Sequence, residues 1–251
     1  PDEHRRAMRA STAHHRYQER AVKLLPRSLT THFLRPQTPP AVLKIATDAA
    51  NAAHRAASIC EAQRMWRAEF KRGRQRLRTS FVVTASTELA SGVQIAGAPA
   101  TIGDCARVYL VPQTLYKLHP SFDALLFRLL RRDLELASAA DSGRACVVMP
   151  QGNRREWGVI LSRRILKAFR YAASYVKGWR EEKADKLASR IVLVAPMRQA
   201  RFFELIATAD VVLDPFPLGG GRSTMEVFAS GSPVLSAASI GPPPIVSLLS
   251  R

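Results

Sequence analysis

Residues 191–236 read IVLVAPMRQARFFELIATADVVLDPFPLGGGRSTMEVFASGSPVLS. Three short apolar runs (IVLVAP, VVLDPFP and PVLS) alternate with two stretches of helical character (RQARFFELIATA and STMEVFAS). The runs are β-branched, nearly continuous and too short for globular helices, so they read as strands. A strand that is apolar along its whole length has both faces covered, which is the setting of a parallel sheet packed between helices.

The same alternation extends upstream. RVYLVP and ACVVMP are strands, SFDALLFRLLRRDLELA is a helix, and a helical stretch runs from about Arg155 to Ser189. FVVTAS is a further short strand, and GVQIAGAPATIGD reads as loop. Strands alternating with helices predict an α/β, doubly wound parallel sheet. No internal repeat of 20–50 residues interrupts it. The organisation expected is a basic, mostly helical region over 1–78, a transition segment over 79–106, and the α/β domain over 107–251. Within the first part, RSLTTHFLRPQTPP is a linker ending in Pro39-Pro40, and Ala41 to about Arg78 is one long helix.

Composition narrows the function classes. The 251 residues are 47% hydrophobic, enough for a sizeable core. The three cysteines, Cys60, Cys105 and Cys146, are too few and scattered for a disulfide framework, so a reducing compartment, cytoplasmic or nuclear, is the default, with an organellar address as alternative. No C-x-x-C pair exists and the six histidines do not fall at zinc spacing, so no metal site is expected. No apolar run reaches the length of a membrane span. The first residue is Pro1, so the chain can be a piece of a longer product.

The net charge of +18 is uneven. Residues 1–78 hold 17 Lys and Arg against 6 Asp and Glu; the rest hold 21 against 14. A basic arm suits a nucleic acid, an anionic membrane face or an acidic partner, and equally a solvated helix or a presequence. Trp66 and Phe70 stand four apart within its most basic stretch, RMWRAEFKRGRQRLR, positioned either to stack on bases or to pack on a neighbour.

In an open α/β sheet, ligands bind beyond the carboxyl ends of the strands. Three loops there carry suitable chemistry. LGGGRS follows VVLDPFP: Gly220 and Gly221 let a ligand approach the backbone, and the next helix, carrying Arg222, Ser223 and Thr224, offers free N–H groups and hydroxyls to phosphate. Glu226, one turn in, suits sugar hydroxyls. QTLYKLHP follows RVYLVP and offers Gln113, Thr114 and the cation Lys117. MRQARFF follows IVLVAP and offers Arg198 and Arg201. The pattern is neither G-x-G-x-x-G after a first strand nor a P-loop. The bland alternative is a connector with a helix cap.

PQTLYKLHPSFD, IVLVAP and ADVVLDPFPLGGGRSTMEVFASGSPVLS, in that order, resemble the C-terminal catalytic half of the protein O-GlcNAc transferase family, glycosyltransferase family 41, which includes SPINDLY-type O-fucosyltransferases. The likeness covers roughly residues 107–240 and rests on LYK-x-x-P and on D-x-x-P followed by a G-[TS]-P-V-like end. Weaker versions occur across the GT-B superfamily. It implies a Rossmann-like fold, the C-terminal half of a GT-B enzyme, and a UDP-sugar as donor substrate without a further cofactor. It implies that Lys117 contacts the diphosphate with Gln113 or Thr114 beside it, that the backbone near Ala195 meets the uracil with Arg198 or Arg201 nearby, that Ser223 and Thr224 cap the phosphates, and that Glu226 binds the ribose. The implied reaction is inverting transfer of GlcNAc or a related hexose to a protein Ser/Thr hydroxyl. This sequence departs from the family at Arg222, at MRQARFF, which lacks a base-stacking His, and in the long basic stretch 155–189. GAPATIG is a faint counterpart of an N-terminal G-x-P-x-T-x-G loop. No general base is identified, and His119 reads as structural. The chain alone is expected to transfer sugar poorly. Two rival readings are a catalytically inactive GT-like binding or scaffold module, and a nucleic-acid-associated protein acting through residues 1–78.

Overall fold

The computed structural model describes residues 38–86, 98–136, 144–217 and 219–236, and the side chain of Arg222 lies outside that description. Its centre is a six-stranded sheet: β1 (Val83–Ser86), β2 (Arg107–Leu110), β3 (Ala145–Pro150), β4 (Ile191–Val194), β5 (Val211–Asp214) and β6 (Val234–Ser236). The spatial order is β1-β4-β3-β2-β5-β6. Five strands are parallel, and β1 is an antiparallel edge strand on β4. The parallel part therefore begins at β2, runs outward through β3 to β4, then returns to the other side of β2 for β5 and β6. That reversal, between β2 and β5, is the topological switch point of a doubly wound fold.

Alternation within the strands fills two cores. On β4, Ile191 and Leu193 face one layer while Val192 and Val194 face the other. The first layer holds α3 (Pro120–Leu136), α4 (Arg155–Ser174) and α5 (Glu181–Ala188), packed through Phe122, Leu126, Ile165, Phe169 and Leu187. The second holds α1 (Pro40–Ala53), α2 (Ile59–Thr79), α6 (Gln199–Thr208) and α7 (Arg222–Ser230), packed through Ile45, Leu77, Phe203, Ile206 and Val227. Burial on both sides is why the strands read as unbroken apolar runs.

Three expectations are corrected. The helix expected over 41–78 is two helices. It breaks before Ser58, whose hydroxyl accepts from the Glu61 N–H at 3.2 Å while the Glu61 carboxylate accepts from the Ala57 N–H at 2.9 Å. The helical stretch 155–189 is also two helices, separated near Gly178, whose φ of +78° is left-handed. The halves are tied by a bidentate pair from Arg170 to Asp185, both bonds 2.7 Å. Finally, Cys105 and Cys146 are joined in a disulfide with Cα atoms 5.7 Å apart, both 1% exposed. Cys146 lies on β3 and Cys105 just before its neighbour β2, so strand pairing brings together residues 41 apart in sequence. A disulfide removes the ground for a reducing default.

The basic helix is attached to the α/β body by its own cations. Arg78, 6% exposed, donates to the Thr208 carbonyl through Nε and Nη2 at 3.0 and 2.7 Å and to the Asp210 carboxylate at 2.8 Å. Arg74 donates to the carbonyls of Ala207 and Thr208 at 3.1 and 3.0 Å, contacts that of Ala209, and pairs with Asp210 at 3.2 Å. The two arginines thus satisfy the carbonyls at the carboxyl end of α6, where cations are favoured. Asp210 in turn accepts from the Val108 N–H at 2.8 Å, locking α2 to the start of β5 and to β2. The transition segment is likewise integrated: β1 extends the sheet, and Thr101 and Asp104 form a capping box.

Candidate functional site at the strand crossover

The crevice is built by the loops that leave β2 and β5. After β2 the chain passes through Val111, Pro112 and the buried Gln113 into a short 3₁₀ turn, Leu115–Lys117. After β5 it crosses a cis Phe216–Pro217 bond and the glycines to enter α7. The two loops meet where Gln113 Nε2 donates to Ser223 Oγ at 2.6 Å, across 110 residues of sequence. With its oxygen accepting from Gln113, the Ser223 hydroxyl keeps its proton to donate elsewhere.

Asp214, the last residue of β5, shapes the glycine loop. Its carboxylate accepts from the Gly220 N–H at 2.7 Å and from the Ser236 hydroxyl at 3.2 Å. It is 6% exposed, and burial pushes its pKa above the usual carboxylate range against those two hydrogen bonds. Gly220 sits where no side chain fits: a Cβ there would lie 2.2 Å from Thr224 Oγ1 and 2.4 Å from Gln113 Nε2. The loop is therefore glycine because two side chains and a carboxylate close on its backbone.

α7 begins at Gly221 without a side-chain cap. The N–H groups of Thr224 and Met225 both return to the Gly221 carbonyl, at 3.1 and 3.3 Å. That leaves the N–H groups of Arg222 and Ser223 at the positive end of the helix, an arrangement suited to an anion.

The other expected residues fall into two groups. Lys117, at the end of the turn after β2, is half-buried and its ammonium has no acidic partner among the described residues. Thr114 is exposed beside it, and Thr224 is 4% exposed beneath the loop. Ala195 is exposed at the end of β4, and Arg198 is exposed at the entry of α6. Glu226, on the first turns of α7, accepts from Gln199 Nε2 at 3.2 Å, linking α7 to the start of α6. Arg201 is committed elsewhere: it donates to the carbonyl and hydroxyl of Ser80 at 2.8 and 2.6 Å, pairs with Glu204, and lies 3.8 Å over the Phe81 ring. It fastens α6 to the end of α2. His119 accepts the Ser121 N–H on Nδ1 at 3.2 Å, as a structural histidine would.

Two contributors escape the sequence reading. Asp214 was legible only as part of a D-x-x-P string; its grip on the loop is tertiary. The start of α4, after β3, forms the fourth part of the edge: Trp157 meets Tyr116, 62% exposed, edge-to-face at 4.9 Å, with Arg154 5.9 Å over its ring. Among the described residues no three or more His, Cys, Asp or Glu side chains are grouped to hold a metal, and no helix is long and apolar enough to cross a membrane.

No family model matches the chain, and no curated protein matches it. Among solved structures, one match is the trehalose-6-phosphate synthase OtsA, at 12% identity and a TM-score of 0.34, over 78% of this chain and 34% of that one. The chain thus spans about a third of that structure's length.

Proposed function

We propose that this chain binds a UDP-sugar in the crevice between β2 and β5 and serves as the donor-binding part of a glycosyltransferase. The observation that carries the reading is the Gln113–Ser223 contact of 2.6 Å at the switch point, which joins two loops of phosphate-binding chemistry. Its support from sequence is the likeness to the protein O-GlcNAc transferase family at these same loops.

In this reading the diphosphate lies over the start of α7. The N–H groups of Arg222 and Ser223 and the Ser223 hydroxyl donate to one phosphate, and Lys117 neutralises the other. The acceptor, a protein Ser/Thr hydroxyl, attacks the anomeric carbon from the face opposite the diphosphate. As the new bond forms, the bond from the anomeric carbon to the diphosphate oxygen breaks, its electron pair passes to UDP and the acceptor's hydroxyl proton passes to solvent water, so negative charge grows on the diphosphate. Donors fixed in advance at that position stabilise the transition state more than the ground state. In the same reading the ribose extends to Glu226 and the base to the edge near Ala195 and Arg198.

Calorimetric titration of the folded chain with UDP tests the binding step. Saturable binding, weakened by Lys117→Ala, is the expected result. Absence of UDP binding at millimolar concentration would overturn the reading.

A further inference from the structure

The cations of α2 divide sharply by task. Arg74 and Arg78 are consumed at the end of α6 and on Asp210. Arg72 and Arg76 both pair with Glu69, at 3.2 and 3.1 Å. Arg64, Arg67 and Lys71 are exposed and have no acidic partner among the described residues. Their spacing of three and four residues places them on one stripe of the helix. The stripe covers about 10 Å, roughly three nucleotide steps of a stacked strand.

Trp66, 40% exposed, stands about a quarter turn round the helix from Arg67 and adjoins the stripe at that residue. Phe70 stacks on it, with centroids 4.8 Å apart and planes 11° from parallel, so the indole is held in a fixed orientation. Trp66 and Arg67 line a shallow groove with Ala53, Ala62 and Gln63. A second groove on the same helix pair is lined by Arg55 and Arg64 and by Arg72 paired with Glu69. A large aromatic partly in water beside the unpaired Arg67, at one side of a cationic stripe, is an arrangement that stacks bases and tracks a phosphate backbone.

A polyanion complements the stripe better than residues 1–37 or a second copy would. Residues 1–37 hold 8 Lys and Arg against 3 Asp and Glu, and the whole chain carries +18, so either would meet the stripe with like charge. We propose that this face of α2 binds single-stranded nucleic acid, with Arg64, Arg67 and Lys71 on successive phosphates and Trp66 stacked on a base. This inference is independent of the UDP-sugar reading.

The test is fluorescence anisotropy of a labelled twelve-nucleotide oligoadenylate with the full chain, at 50–200 mM salt and with saturating UDP present to occupy the donor crevice. The triple variant Arg64→Gln/Arg67→Gln/Lys71→Gln should bind at least tenfold more weakly. Its slope of log affinity on log salt should flatten by about 2, at about 0.7 for each phosphate no longer neutralised. Trp66→Ala should weaken binding about fivefold or more with the slope unchanged. The three cations are exposed, so the triple variant should melt with the wild type, and Trp66→Phe, which keeps a ring on Phe70, is the tryptophan variant whose melting temperature should match. As a readout that needs no truncation, oligoadenylate should quench the intrinsic fluorescence of the wild type, and Trp66→Phe should abolish that quenching. The proposal is overturned if the wild type does not bind, or if the triple variant keeps wild-type affinity and slope. It is also overturned if polyglutamate binds as tightly and Trp66→Ala changes nothing, which would mark the face as a site for acidic polypeptides.

Discussion

Replacing Gly220 by alanine would test the architecture of the crevice. The added methyl would stand 2.2 Å from Thr224 Oγ1 and 2.4 Å from Gln113 Nε2, about 1 Å inside ordinary contact in each case. Neither neighbour is free to swing into solvent, since Thr224 is 4% and Gln113 6% exposed. Relief therefore requires Gln113 to release Ser223, or the loop to pull away from Asp214. Overpacking of this kind costs about 1–3 kcal/mol. Loss of a buried side-chain hydrogen bond adds about 1 kcal/mol, so Gly220→Ala should destabilise the fold by about 2–4 kcal/mol. Because the same shift moves the start of α7, UDP affinity should fall about tenfold or more. Urea unfolding and calorimetric titration with UDP measure the two effects. Adding Thr224→Ala, which removes the nearest atom, should restore part of the stability. A Gly220→Ala chain within about 0.5 kcal/mol of the wild type, with unaltered UDP binding, would refute the packing described for the loop.

Lys117→Ala should weaken UDP binding about tenfold or more while leaving uridine binding unchanged, and Lys117→Arg should restore it only in part, because a planar fork does not occupy the ammonium's position; equal loss for UDP and uridine would give Lys117 a structural role instead. Arg78→Ala removes the buried donor to the Thr208 carbonyl and leaves Asp210 with Arg74 as its guanidinium partner, so urea unfolding should show a loss of about 2 kcal/mol, with Arg78→Lys recovering little. Asp214 has a folded-state pKa raised by burial, so its contribution is fully present below the ordinary carboxylate pKa of about 3.9 and is lost as pH rises through the raised value. Asp123 is shifted the same way by burial, against its pairing with Arg164. Asp214→Asn keeps an acceptor for the Gly220 N–H without a buried charge; it should flatten the pH dependence of stability above pH 4 without destabilising the chain at pH 7, as unfolding curves across pH would show.

The strands were legible because burial on both faces leaves a local mark. Each position of β3 and β4 must be apolar whichever way it points, and the resulting run is visible without knowledge of its neighbours. The helix breaks were harder, because apolar spacing persists across them. Ser58 and Glu61 stand at capping-box spacing, a local signal that marks the start of α2, and Gly178 marks the turn after α4. Nothing local distinguishes Arg74 and Arg78 from Arg64 and Arg67. All four sit in one basic run, and only the approach of α6 decides which become caps and which stay in water. The disulfide is of the same kind: the pairing of Cys105 with Cys146 follows from the adjacency of β2 and β3.

The candidate site shows where sequence reasoning stops in physical terms. Glycines after a strand announce that something approaches the backbone closely, and that much is local. What approaches is not local: here Gln113 from another loop, Thr224 from the next helix and Asp214 from the strand itself occupy the space around Gly219 and Gly220. The glycines therefore have a structural reason that needs no ligand. The functional argument must rest on groups that remain available once the packing is satisfied. Those are the Ser223 proton left over from the bond to Gln113, the uncapped start of α7, and the ammonium of Lys117. Arg201 illustrates the converse, since its guanidinium is fully engaged by Ser80, Glu204 and Phe81 although its place in sequence suits a ligand as well as that of Arg198. Arg201→Ala should accordingly lower stability by about 1–2 kcal/mol, through loss of its hydrogen bonds and of the cation–π interaction, and leave UDP affinity within twofold. Arg198→Ala should do the reverse. Equal effects of the two substitutions on UDP binding would show that packing at Ser80 does not separate a structural from a binding arginine at this edge.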